Sequence, residues 1–245
     1  MDNFQDKLQE IFSIHHRSGN ILLINADCME VLKHIPDKHY QLSCVDPPYG
    51  IGESRKQRIS TSCKRWKSAP NIAHYIPKQW DSVAPDSDYF MELFRVSKHQ
   101  IIWGGNYFIN NLYPSMGWIF WDKQNGETDF SDGELAWTSM NRALRRFAYL
   151  WSGFKKQIPE QRFHPTQKPV KLYEWLLKNY AQKGDRILDT HGGSFSLAIA
   201  CYNLDFSFTG IELDESYFNA AIKRFEEHKK QIRMFDNTDQ KEANK

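Results

Sequence analysis

The chain alternates short apolar runs with segments whose apolar residues recur every three to four positions. "NILLINAD" (Asn20 to Asp27) is an apolar run closed by an acid, which predicts a buried strand. "CMEVLKHIPD" then carries apolar residues at helical spacing, with Pro36 as a stop. "YQLSCVD" predicts a second strand. "SDYFMELFRVSK" predicts a helix capped by Ser87 or Asp88. "HQIIWGG" and "GWIFWDK" predict a third and a fourth strand, and "GELAWTS" and "RRFAYLW" are expected to pair as further strands. After "FHPTQKPVK", "LYEWLLKNYAQKG" predicts an amphipathic helix ended by Gly184. Then follow a strand, a Gly turn and a helix ("DRILDTHGG", "SFSLAIACYNL"), and again a strand and a long helix ("FSFTGIELD", "ESYFNAAIKRFEEHKKQI"). From about Phe235 the tail is polar and is expected to fray. Strands alternating with helices predict an α/β fold, doubly wound around a mostly parallel sheet.

Composition changes this picture little. The chain has 245 residues, 40% hydrophobic and 25% charged, with a net charge of +2, so bulk charge does not mark a nucleic-acid binder. The local distribution says more. Arg55, Lys56, Arg58, Lys64, Arg65 and Lys67 crowd a stretch without periodicity in which Glu53 is the sole acid. No Cys-x-x-Cys pairs Cys28, Cys44, Cys63 or Cys201, so no metal site is expected. Met1 to Glu10 is polar and no apolar run approaches about 18 residues, which predicts neither a leader nor a membrane span. The expected setting is reducing and cytoplasmic, with free thiols.

The chemistry gathers at strand ends. In doubly wound sheets ligands bind beyond the carboxyl ends of the strands. Here Asp27, Asp46 and Asp189 close strands, and Glu212 lies near the end of another. "ILDTHGGSFSLAIA" sets an acid and a Gly-Gly-Ser turn before a helix, and Glu212 follows about 20 residues on, where an acid can bind ribose hydroxyls. G-x-G-x-x-G is absent, which favours a smaller nucleoside-bearing cofactor over a dinucleotide; a plain strand-turn-helix is the alternative. In "VDPPYG", consecutive prolines hold the chain extended and leave carbonyls free as acceptors. Asp46 adds a carboxylate and Tyr49 a flat face, together a receptor for a planar ring bearing an exocyclic amine. The alternative is a proline turn closing a strand. Chance occurrence of these four residues in such a chain is on the order of one in a thousand.

With these motifs in hand, the sequence resembles the amino-methyltransferases that modify adenine N6 or cytosine N4 in DNA, in the permuted motif order called the β group. The resemblance runs from about Asn20 to Phe225. It rests on "INADCMEVLKHIPD", "VDPPYG", "RFHPTQKPVKLYEWLL", "ILDTHGGSFSLAIA" and "TGIELDESYFNAAIKRF", in that order. It implies a Rossmann-like methyltransferase fold, circularly permuted, with S-adenosylmethionine as methyl donor. Asp46, Pro47, Pro48 and Tyr49 would be catalytic. Asp189, His191, Gly193 and Ser194 would line the cofactor, Glu212 would accept from its ribose, and Asp27 and Cys28 would lie near its adenine. Thr166 and Lys168 would approach its carboxylate. The loop departs from the family's Asp-Pro-Phe-x-Gly-Ser-Gly: His191 replaces the aromatic and Phe195 the last glycine.

The implied substrate is an adenine amine in double-stranded DNA, flipped out of the helix. Cytosine N4 is the nearest alternative, followed by RNA or free nucleotides, and then a nucleic-acid-binding protein without turnover. No Pro-Cys pair occurs, which argues against ring-carbon methylation. Arg55, Lys56, Arg58, Lys64, Arg65 and Trp66 are the expected DNA contacts, and Arg142, Arg145 and Arg146 are further candidates. The expected organisation is one domain over 1–234, with DNA-contacting insertions at about 51–80 and 106–161 and a polar tail at 235–245. A homodimer is expected from the resemblance.

Overall fold

The structure is a computed structural model that describes residues 3–52, 81, 83–125, 131–152, 155–156, 164 and 166–242. Helix α1 (Asn3–Ile11) and strand β1 (His15–Ser18) precede β2 (Ile21–Asn25), α2 (Cys28–Leu32) and β3 (Tyr40–Val45). Next come α3 (Ser87–Val96), β4 (Ser97–Trp103), β5 (Trp118–Asp122), β6 (Gly133–Thr138) and β7 (Arg145–Ala148). A two-stranded ribbon, β8 (Trp151–Ser152) and β9 (Lys155–Lys156), leads toward the second half. That half is α4 (Val170–Tyr180), β10 (Arg186–Asp189), α5 (Ser196–Asn203), β11 (Ser207–Glu212) and α6 (Glu215–Glu242).

The main sheet runs β1-β2-β11-β10-β3-β4-β6-β5-β7. From β2 to β4 all neighbours are parallel. β1 and β6 run antiparallel to their neighbours, and β7 is parallel to β5. This is the doubly wound, mostly parallel sheet expected from the alternation. Central strands of such a sheet are covered on both faces, and the side-chain period of two divides their residues between the layers. Ile21 and Leu23 pack with α4, α5 and α6, whereas Leu22 and Ile24 pack with α1, α2 and α3. Helix α5 is buried from Ser196 to Cys201, which explains why it shows no polar stripe.

Several boundaries differ from the sequence reading. α1 arises largely in the stretch read as polar, Met1 to Glu10, and β1 in one the sequence reading left unassigned. Leu8 of α1 is fully buried, and the Gln5 side-chain amide donates to the Phe208 carbonyl at 2.9 Å. The cap of α3 is Asp86, whose carboxylate accepts from the Tyr89 N–H at 3.2 Å, rather than Ser87 or Asp88. β6 and β7 do not pair with each other; β5 lies between them, because β6 turns back against β4 and β5 while β7 runs parallel along the far side of β5. α6 continues through most of the polar tail to Glu242. Among the described residues, no helix is long and apolar enough to cross a membrane.

Candidate active site

The parallel order fixes where a site can form. From β10 the chain crosses through α5 to β11 on one side, and from β3 through α3 to β4 on the other. The crevice at this reversal opens at the carboxyl ends of β10 and β3, which deliver Asp189 and Asp46. A cavity of about 260 Å³ occupies it, near the lower end of small-molecule pockets. Asp27, Cys28, Asp46, Pro48, Thr166 and Lys168 reach this cavity, and so do His191, Gly193, Ser194 and Glu212. Asp189 is buried directly beneath, Pro47 is buried beside Pro48, and Tyr49 reaches the site through Asp46.

One end of the cavity is a turn of bare backbone. Gly193 has φ 50°, a left-handed conformation that suits glycine, and its N–H donates to Glu212 Oε2 at 2.7 Å. Glu212 Oε1 accepts from the Asp214 N–H at 2.8 Å, so β11 and the 190–195 loop are tied through one carboxylate. Asp27 caps α2 by accepting from the Met29 N–H at 2.8 Å. Burial pushes the Asp189 carboxyl up to about 8, although the His191 N–H donates to it at 3.0 Å. Burial also pushes the His191 imidazole down to about 4, so the ring is neutral at pH 7; its Nδ1 lies 2.9 Å from Thr190 Oγ1. Burial and the Asp27 carboxylate raise the Cys28 thiol to about 12, which makes it inert as a nucleophile.

Phe195 explains the altered loop. It takes φ 49°, the left-handed conformation that a glycine would adopt there, yet its side chain is fully buried. The ring fills the space under Gly192 and Gly210: a Cβ at Gly192 would lie 1.9 Å from Phe195 Cε1, and one at Gly210 2.7 Å from it. The backbone cost of a non-glycine residue is thus offset by a buried aromatic.

The other end of the cavity is charged and aromatic. The Tyr49 hydroxyl donates to Asp46 Oδ1 at 2.7 Å, and the Lys168 ammonium donates to Asp46 Oδ2. Burial raises the Asp46 carboxyl and Lys168 opposes that shift. The Lys168 ammonium also lies 3.1 Å from Glu134 Oε2 and 5.2 Å above the Trp103 ring. The Tyr49 ring stacks on Tyr107 at 4.8 Å and 16°. Gly104, at φ 68°, makes room for it: a Cβ there would fall 2.2 Å from Tyr49 Cε1.

Arg55, Lys56, Arg58, Lys64, Arg65 and Trp66 lie outside the described residues. Asp81 receives the Gly50 N–H on its carboxylate at 2.9 Å and the Gly52 N–H on its carbonyl at 3.0 Å, so both flanks of the 53–80 segment meet. Arg142 donates to the Asn179 carbonyl and sits 5.3 Å over the Tyr180 ring, and Arg146 pairs with Asp122 at 2.6 Å. The sequence reading missed Glu134, Tyr107, Tyr89, whose hydroxyl lies 2.6 Å from Thr190 Oγ1, and His164, which lines the cavity. His164 was visible within the His-Pro-Thr motif; nothing in the local sequence marked the other three, which reach the site only through the fold.

A mostly parallel sheet with an acid-lined cavity at its reversal point defines a Rossmann-like α/β protein. The family described as DNA methylase matches residues 120–223, which include the Thr166–Lys168 segment, the Gly turn and Glu212. Relatives span both halves. The chain is 23% identical to Type II methyltransferase M2.DpnII of Streptococcus pneumoniae, over 86% of this chain and 92% of that one. It is 24% identical to M2.MboI of Moraxella bovis, over 85% and 88%. Among solved structures, the M1.HpyAVI–SAM complex superposes with a TM-score of 0.54 at 20% identity, covering 83% of this chain and 99% of that one. The cytosine-N4-specific PvuII DNA methyltransferase gives 0.55 at 14% identity, covering 85% and 87%. The chain is similar to the DNA amino-methyltransferases that act at adenine N6 or cytosine N4, as its motifs implied.

Proposed function

We propose that this protein transfers a methyl group from S-adenosylmethionine to adenine N6 in double-stranded DNA, as the modifying half of a restriction-modification pair. The observation that carries the reading is the convergence of Asp46 with the Gly193–Glu212 turn on one cavity. The donor set suits the cofactor. Glu212 faces the cavity, where a carboxylate can meet ribose hydroxyls, and the bare Gly193 backbone admits close approach. Asp27, Cys28, Thr166, His191 and Ser194 complete the cofactor wall in this reading. When bound, the cofactor supplies an electrophilic methyl group.

The protein's own part is positioning and charge. An exocyclic amine is a weak nucleophile because its lone pair is delocalised into the ring. Asp46 and the Pro47 carbonyl accept its N–H groups and favour a tetrahedral nitrogen, while Pro48 holds the backbone extended. As the nitrogen gains its bond to the methyl carbon and that carbon's bond to sulfur breaks, positive charge would grow on the nitrogen beside a fixed carboxylate, and the surplus N–H proton would leave to water afterward. Tyr49 supplies a stacking face, with Tyr107 behind it. The basic residues Arg55, Lys56, Arg58, Lys64 and Arg65 hold phosphates and Trp66 stacks or wedges. A DNA substrate suits the cytoplasmic setting expected from the sequence. The reading extends to a homodimer, checked by light scattering.

DNA exposed to the protein and labelled cofactor, digested and chromatographed as nucleosides, tests the proposal. Label in N6-methyldeoxyadenosine supports it. Label in N4-methyldeoxycytidine replaces adenine with cytosine, and no label overturns methyl transfer. Charge reversal at Arg55, Arg58 and Arg65 is expected to flatten the salt dependence of DNA affinity; an unchanged slope removes the phosphate role of that segment.

A further inference from the structure

Lys168 was expected beside the cofactor carboxylate, yet its charge is engaged elsewhere. Its side chain is only 3% exposed and lies between Asp46 of the β3 end and Glu134 of β6. The Tyr49 hydroxyl holds the other Asp46 oxygen, so both carboxylate oxygens are tethered and the group cannot rotate freely. Glu134 Oε1 is in turn bound by Lys123 at 2.5 Å. Four formal charges of alternating sign therefore run from the cavity outward: Asp46, Lys168, Glu134, Lys123.

Such an arrangement needs a reason. A lone ammonium on Asp46 would keep the carboxylate ionised where it is buried, but would also oppose positive charge growing on a neighbouring amine. A second carboxylate on the far side of the ammonium relieves that opposition. We infer, on the methyl-transfer reading above, that Lys168 and Glu134 are positioning residues for Asp46: the ammonium fixes the carboxylate at the cavity, and Glu134 balances the ammonium so that Asp46 still acts as a negative group. Lys123 binds the other Glu134 oxygen and draws part of that carboxylate's charge away from Lys168, so the balance at Asp46 is set by all four groups. The other ionisable groups around Asp46 are Tyr49, Cys44, Tyr89, Tyr173 and Asp189. The thiol and the phenols are neutral at pH 7, since each is held above its ordinary value, and Asp189 is shared by all the variants below.

The two residues pull the Asp46 carboxyl in opposite directions, which a merely structural role would not do. Transfer rate against pH would be measured for the full-length wild type, Lys168→Met, Lys168→Arg and Glu134→Gln, with cofactor affinity by calorimetry. Lys168→Met is expected to move the acid limb of kcat/KM up by about one to three pH units, and Lys168→Arg to return it toward wild type. Glu134→Gln is expected to move the limb down and to slow transfer by about tenfold or more, the usual scale for losing a supporting partner, with cofactor affinity kept. Limbs that stay put, or move the same way in Lys168→Met and Glu134→Gln, overturn the inference. If the wild type transfers no methyl group, the functional reading fails on its own. Carboxyl-carbon NMR titration of Asp46 in the same proteins then still decides whether the two substitutions displace it oppositely. Glu134→Gln carries the test if Lys168→Met does not fold.

Discussion

Phe195→Gly restores the glycine that the resembled loop carries at this position, and the structure says it should harm the protein. Three effects compete. Losing a fully buried phenylalanine ring costs about 3–5 kcal/mol with the cavity left behind, and a glycine adds about 0.5–1 kcal/mol of chain entropy. Against this, relief of the left-handed backbone at φ 49° returns about 1–2 kcal/mol. The net loss is centred near ~3 kcal/mol, or roughly 6–12 °C in Tm for a domain of this size. Urea and thermal melts followed by circular dichroism read it. A second arm isolates the contact. Gly192→Ala would set a Cβ 1.9 Å from Phe195 Cε1, but in a Phe195→Gly background that atom is gone. The two substitutions should therefore couple, by about 1–3 kcal/mol. A Phe195→Gly protein as stable as wild type, or costs that simply add, would refute the packing account of the altered loop.

Asp46→Ala should retain cofactor affinity by calorimetry while transfer falls by about a hundredfold or more; an active Asp46→Ala protein contradicts the proposed mechanism. Asp189 bears on stability against pH: its folded carboxyl sits near about 8, above its ordinary 3.8, so the native state holds its proton longer than the unfolded chain. Its contribution is full below the unfolded value and is lost as pH rises to about 8, so urea midpoints should fall across that window, and less steeply in Asp189→Asn. Glu212→Gln should weaken cofactor binding by about tenfold, about 1.4 kcal/mol, with smaller effects on Tm; equal affinity removes Glu212 from the site. Gly104→Ala should push Tyr49 off Asp46 and Tyr107 and destabilise by about 1–3 kcal/mol, read by melts and transfer rate; a wild-type rate shows Tyr49 has room to spare.

The strands that frame the cavity were legible because buried parallel strands write themselves as apolar runs, and "ILLIN", "LSCV" and "RILD" each end in or before an acid. α1 was not legible: Leu8 is its one fully buried apolar residue, and much of its anchoring comes from Gln5, which no hydrophobic pattern reveals. The acids at strand ends were readable as a group, but their partners were not. Glu134 sits on a strand that looks ordinary in sequence, and it meets Lys168 and the Asp46 group only because β6 folds back antiparallel to β4. Tyr107 follows Tyr49 in the chain only after the 53–80 segment, α3 and β4, and stacks on it only because β4 lies beside β3. Positional motifs fix residue types at one edge of a sheet; which charge touches which is decided by pairing order.

That pairing order also bears on how the molecule is made. β2 and β3 follow one another in the chain, yet β11 and β10 are inserted between them in space. Until Arg186–Glu212 has left the ribosome, β2 and β3 each keep one unpaired edge, because β11 and β10, their neighbours there, do not yet exist. Closure of the sheet must wait for contacts that span most of the chain, so late assembly is built into the topology, and a truncated product lacking the last quarter should precipitate rather than fold.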